Sequence, residues 1–171
     1  MFCDKSKTMK PSRFVLVVLT VGLLCVGNAV GQDEQKAESN PVVVLFEKRL
    51  AEAKDGNAEA MNNLGVMYEN GEGVLENDKE AVKWYRKAAE LGNAEAMYNL
   101  GVMYAKGDGV IEDEEEAAKW FRKAAELENA IAMVRLGLMY ANGEGVIQDD
   151  KEAVKWFRKA AELENATAMT L

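Results

Sequence analysis

Residues Asn93–Glu128 read NAEAMYNLGVMYAKGDGVIEDEEEAAKWFRKAAELE, and the 36 residues before them, Asn57–Gly92, repeat that text at 25 positions. A third copy runs from Asn129 to Glu164, and the first residues of a fourth follow as Asn165–Leu171. Trp84, Trp120 and Trp156 recur at the same interval. Self-similarity at this period, with glycine at fixed places and no proline inside a copy, is the signature of stacked helix pairs.

Within the 93–128 copy, Asn93 has the side chain to cap a first helix, in which Met97, Leu100 and Tyr104 recur on one face. Gly101 interrupts that helix at a cost of about 1 kcal/mol relative to alanine. Its recurrence as Gly65 and Gly137 predicts a close helix crossing that has no room for a methyl group. Gly107 and Gly109 supply the turn, and Val110 is placed to plug the bend. Asp113 with Glu116 has the spacing of a capping box, as do Asn77 with Glu80 and Asp149 with Glu152. Ala117, Trp120, Phe121 and Ala124 then form one apolar patch, with the tryptophan expected in the core. Neither helix is apolar enough to stand alone, so each copy needs neighbours.

The pattern Ala60…Leu64-Gly65…Met67-Tyr68…Gly71…Gly73-Val74, followed by Trp84-Tyr85-Arg86-Lys87-Ala88-Ala89-Glu90, resembles the Sel1-like repeat family, a relative of the tetratricopeptide repeats. The resemblance covers three full copies. It implies an all-α fold, a short right-handed α-solenoid of antiparallel helix pairs. It also implies work as an adaptor holding other proteins together, often in secretion, quality control, signalling or host contact. The chain departs from the family where Gly92 gives way to Glu128 and Glu164. A glutamate there must take a left-handed conformation or let the helix end differently.

The division by copies is 57–92, 93–128 and 129–164, with 165–171 as the start of a truncated fourth. Residues 41–56 read as a single N-terminal capping helix that opens at Asn40-Pro41 and stops at Gly56. Gln32–Asn40 is a polar linker. Residues 1–31 place Lys5, Lys7, Lys10 and Arg13 before the apolar run Phe14–Val26 and the small residues Gly27, Ala29 and Gly31. That order is the layout of a signal peptide, with cleavage after Ala29 or Gly31. The alternative is a membrane anchor over residues 14–30, whose flanking bases would still put the repeats outside the cytoplasm. The expected location is periplasmic or secreted, with the membrane as a partner only if this segment is retained.

Residues 1–31 hold four bases and one acid, a net of +3, so the remaining chain carries −11 of the total −8. Such a surface repels nucleic acid. Both cysteines, Cys3 and Cys25, fall in the first 31 residues, histidine is absent, and the only later alcohols besides tyrosine are Ser39, Thr167 and Thr170. No nucleophile–base pair can be assembled, and no cofactor or metal site is expected. Cysteine-rich members of the family have been linked to hydrolase activity, but this chain lacks those cysteines, so the suggestion does not carry over. Paired carboxylates such as those in Glu112–Glu116 leave hydrolysis as the reading with least behind it. Acids at a helix start are explained by the helix dipole.

The expected function is therefore an exported, non-enzymatic scaffold that binds a peptide or protein on the concave face lined by the first helices. The positions that vary there are Glu59, Asn62, Val66 and Glu69, then Glu95, Tyr98, Val102 and Ala105, then Ile131, Val134, Leu138 and Ala141. The face runs from polar to apolar, and Arg135 marks its apolar end. Tyr98, Val102, Ile131, Val134, Arg135 and Leu138 are the candidate partner-binding residues. A homo-oligomer joined through an uncapped C-terminal end is the alternative.

Overall fold

The computed structural model describes residues 40–168, with side chains as far as Leu163. Residues 1–39, which hold the expected signal or anchor segment, both cysteines and most of the expected linker, and residues 169–171 lie outside the described residues. Seven helices and no strand make up the described part: α1 Pro41–Lys54, α2 Ala58–Asn70, α3 Asp78–Glu90, α4 Ala94–Lys106, α5 Glu114–Glu126, α6 Ala130–Asn142 and α7 Asp150–Ala168. Each helix packs chiefly on its neighbours in sequence, as an α-solenoid requires.

The caps follow the expected residues. The side chains of Asn57, Asn93 and Asn129 accept from the N–H groups of Ala60, Ala96 and Ala132 at 3.0, 2.8 and 2.9 Å. Asn40 caps α1 in the same way, accepting from Val42 at 3.0 Å. At the second helices only half of the expected capping box is present. Asp113 accepts from the Glu116 N–H at 2.9 Å, but the Glu116 carboxylate takes Lys119 at 2.9 Å instead of reaching back. The N–H it would have satisfied is already used, since Asp113 donates to the Tyr104 carbonyl at 2.9 Å. Asn77 on Tyr68 and Asp149 on Tyr140 repeat that bond, which ties the end of each first helix to the start of the second.

Three glycines mark the helix crossings. A Cβ on Gly101 would stand 2.8 Å from the Phe121 ring, one on Gly137 2.7 Å from Phe157, and one on Gly65 closer still to Tyr85. The aromatic that faces each crossing glycine is thus the residue after the tryptophan. Tyr85 is fully buried and Phe121 nearly so, whereas Trp84 and Trp120 are only half-buried. This corrects the expectation that every tryptophan is a core residue: it holds for Trp156, which is buried while Phe157 is half-buried, and not for Trp84 and Trp120. Lys87, Lys123 and Lys159 lie over Trp84, Trp120 and Trp156 at 4.1, 3.9 and 4.6 Å, so each indole is roofed by a cation one helical turn on. The turn's second glycine has a different duty. Gly109, at φ 69°, brings its Cα against the Asp78 carbonyl, which a Cβ would meet at 2.5 Å. Gly73 meets the Val42 carbonyl in the same manner.

That equivalence shows α1 to be more than a cap. Shifted by 36 residues, Val42 falls on Asp78, Ala53 on Ala89 and Gly56 on Gly92. Ala53 is buried like Ala89, and Gly56 and Gly92 share φ of 90° and 85°. Helix α1 therefore stands in the place of a second helix. Its Arg49 and Glu52 occupy the positions of Tyr85 and Ala88 and pair with each other at 2.9 Å, which replaces an apolar surface with a polar one.

At the other end, the two glutamates differ. Glu128 takes the left-handed conformation, φ 62°, and lets α6 fold back. Glu164 lies inside α7, which runs on to Ala168. Residues 165–168 thus extend α7, where the sequence suggested the start of a truncated fourth repeat. After Glu128 the buried Met133 and Leu136 offset the strained turn. Along α7, Val154 is 54 % exposed, while its counterparts Val82 and Ala118 are 4 % and 2 % exposed beneath the next repeat.

Candidate functional site

The first helices α2, α4 and α6 carry the varying residues. In the space between α2 and α4, polar side chains satisfy one another. Tyr85 donates its hydroxyl to Glu69 at 2.6 Å, and Asn99 donates to Asn62 at 3.0 Å. Asn62 is fully buried by this bond. It is therefore not the groove-surface position that register suggested. Burial, then the hydrogen bond and charge of Glu69, push the Tyr85 hydroxyl far above the usual tyrosine range.

One repeat later the same four positions are Phe121, Ala105, Arg135 and Tyr98. The ring lacks its hydroxyl, the carboxylate is gone, and the amide pair has become a guanidinium and a phenol. A cleft of about 360 Å³ stands there between α4 and α6. Val102, Ala105, Phe121, Leu138 and Met139 make its apolar wall, with Arg135 and Lys106 as its cations. The acids Glu114 and Glu144 lie at the turn end, where Glu144 accepts from Asn142 at 3.0 Å. Arg135 is seven residues back from Asn142 along α6, about 10 Å at 1.5 Å per residue. It has no hydrogen bond or ion pair among the described residues.

Of the residues singled out from sequence, Val102, Arg135 and Leu138 line this cleft. Tyr98 stands behind it, its ring 5.6 Å from Phe121. Ile131 and Val134 do not line it; they form an exposed strip on the first half of α6, 61 % and 38 % exposed. Phe121, Met139 and Lys106 were missed, and Ala105 was read as a varying groove position without being singled out as a binding residue. The signal was present, since Glu69 to Ala105 and Tyr85 to Phe121 change together across one 36-residue step. Reading each position alone hid the pairing.

The repeats are joined by a recurring bond. Arg86 donates to the Tyr104 hydroxyl at 2.9 Å, and Arg122 to that of Tyr140 at 2.6 Å. Those arginines and tyrosines tie each repeat to the next.

A family model described as Sel1 repeat matches residues 58–93, 94–129 and 130–165. Among solved structures, the chain is similar to a Sel1 repeat protein from Oxalobacter formigenes at 45 % identity and TM-score 0.61, over 63 % of this chain and 44 % of that one. It is similar to a protective antigen present in uropathogenic Escherichia coli strains displaying an SLR fold, at 41 % identity and TM-score 0.67, over 68 % and 25 %. It is also similar to Helicobacter pylori cysteine rich protein B, at 26 % identity and TM-score 0.59, over 76 % and 98 %. The chain spans less than half the length of the first two. A comparison with curated proteins gave no match.

Proposed function

The chain belongs to the Sel1 repeat family, and from that premise we propose that it is a non-enzymatic scaffold that holds a peptide or partner helix against α4 and α6, outside the cytoplasm. Sel1 repeats generally mediate protein–protein interaction, which supplies the class of function. One observation carries the finer reading. The frame is the same in every copy, yet the exposed side of the first helices turns apolar in α6, where Ile131, Val134 and Leu138 stand 61 %, 38 % and 42 % exposed. Apolar residues at helical spacing beside an open cleft suit the groove mode of peptide recognition.

The substitutions Val134→Asp and Leu138→Asp test it. Both side chains are exposed, so the fold should be retained by circular dichroism. Proteins captured from the exported fraction by the full chain should be lost with the double variant; an unchanged set would sink the groove. The export reading is supported by the order of bases, apolar run and small residues in 1–31. N-terminal sequencing of the mature protein should find Val30 or Gln32 first.

The uncovered Val154 favours a second reading, self-assembly through α7. Under it, light scattering should show mass rising with concentration, and Val154→Asp should abolish the rise.

A further inference from the structure

Resting on the groove reading, we propose that the cleft between α4 and α6 is a specificity pocket that takes one bulky apolar side chain of a bound peptide and fixes a neighbouring carboxylate on Arg135. The reasoning starts from the two equivalent spaces. Between α2 and α4, the Tyr85 hydroxyl and the Glu69 carboxylate fill the space and satisfy each other at 2.6 Å. Between α4 and α6, both polar groups are deleted and the ring that remains, Phe121, forms part of the wall. The opening is thus a paired excision from a packed design. At about 360 Å³ it is at the lower end of the range of ligand sites, roughly 300–1,000 Å³. Room for one or two side chains is what a peptide anchor needs.

The second pair of positions assigns the charge. Asn99 is held by Asn62 in the first space. Arg135, at the position of Asn99, faces the apolar wall with no partner among the described residues, and Lys106 is equally unpaired. A guanidinium beside an apolar cleft gains most from a carboxylate, which it can bind in bidentate fashion. Glu114 and Glu144 at the turn end disfavour a dianion such as phosphate and orient the peptide, with its acid toward Arg135 and away from the turn. The net charge of −11 beyond residue 31 excludes selection by bulk attraction, so the preference has to come from this one site.

The first repeat carries the residues that serve as test substitutions. Ala105→Glu with Phe121→Tyr restores the plug, and Arg135→Asn restores the neutral residue. The probes are acetylated and amidated 12-residue peptides with one central Leu and a Glu four residues on, alongside versions with Gln for Glu or Ala for Leu. A further peptide has no Glu but ends in Leu with a free carboxylate. Titration calorimetry with the full chain should show the Glu peptide, or the free-acid peptide, binding at least tenfold more tightly than the Gln form at low salt; which acid wins identifies the carboxylate's source. Arg135→Asn should remove the preference, and the plugged variant should bind neither. Equal binding of the Glu and Gln peptides, no binding of any probe by the parent chain, or full binding by the plugged variant would each overturn the pocket. Binding that survives the plug but is lost in Val134→Asp/Leu138→Asp sinks the pocket alone; binding that survives both sinks the groove as well.

Discussion

Each crossing of first and second helix rests on one missing methyl group. At Gly65, Gly101 and Gly137 an added Cβ runs into the ring of Tyr85, Phe121 or Phe157. Tyr85 and Phe121 are buried on all sides, which leaves their rings little room to swing aside, whereas Phe157 is half-buried. Gly101→Ala is therefore expected to destabilise by about 1–3 kcal/mol, despite alanine's better helix propensity. Gly65→Ala should be the worst of the three, because its clash is the tightest and Tyr85 is also tied to Glu69. Denaturant midpoints of the three variants give the order. Glu128 is the opposite case. It holds φ 62°, and the equivalent Gly92 has nothing within 4 Å of its added Cβ, so the strain there is purely conformational. Glu128→Gly is expected to stabilise by about 1 kcal/mol in urea titration; a loss of stability would show that the glutamate side chain makes a contribution of its own.

At the scale of the helix pair, sequence and structure agree where one residue type has one physical meaning. The asparagine caps, the turn glycines and the close crossings at Gly65, Gly101 and Gly137 were all legible, because a cap oxygen, a positive φ and an absent Cβ leave little choice. What was not legible depended on relations between helices. Trp and its neighbour Tyr or Phe are equally apolar in sequence, and only the crossing decides which faces Gly65 or Gly101. Helix α1 was hidden as a repeat element because Lys48 and Arg49 stand where Trp84 and Tyr85 would have announced it. The Tyr85–Glu69 plug in the space between α2 and α4 was invisible for the same reason, since Glu69 alone reads as a solvated acid. Its energetics are open to a cycle. Tyr85→Phe should cost about 2 kcal/mol, the worth of a hydrogen bond to a charged group. Adding Glu69→Ala should recover most of it, since the second repeat is built with Phe121 and Ala105. The pH dependence has a definite sign. The folded Tyr85 pKa lies above its unfolded value of about 10, so the neutral form is favoured in the fold. Its stability contribution is complete below pH 10 and is lost as the pH rises above that. Unfolding titrations above pH 10 should fall steeply for the parent chain and less steeply for Tyr85→Phe/Glu69→Ala.

Across the whole molecule, stability is shared between adjacent pairs, and the two ends are finished differently. Two buried clusters divide the array, one built on α1 to α4 and the other on α5 to α7 with Ala89 and Met97. Tyr104 and Trp120 pack against both and join them. At the N-terminal end, Arg49 and Glu52 give α1 a paired polar surface. At the α7 end, Val154 remains exposed and no further helix covers it among the described residues. In a solenoid with only nearest-neighbour interfaces, opening should begin where an element has a neighbour on one side. Hydrogen exchange should accordingly find the slowest amides in α3, α4 and α5 and faster ones in α7. Gly137→Ala sharpens the test, because its clash with Phe157 strikes the last pair alone. Protection should drop in α6 and α7 while α2 and α3 stay near the parent values. Gly101→Ala strikes beside the junction made by Tyr104 and Trp120, and should lower protection on both sides of it. If Gly137→Ala lowers protection evenly from α1 to α7, the three repeats open as one unit, and the nearest-neighbour description of this molecule fails.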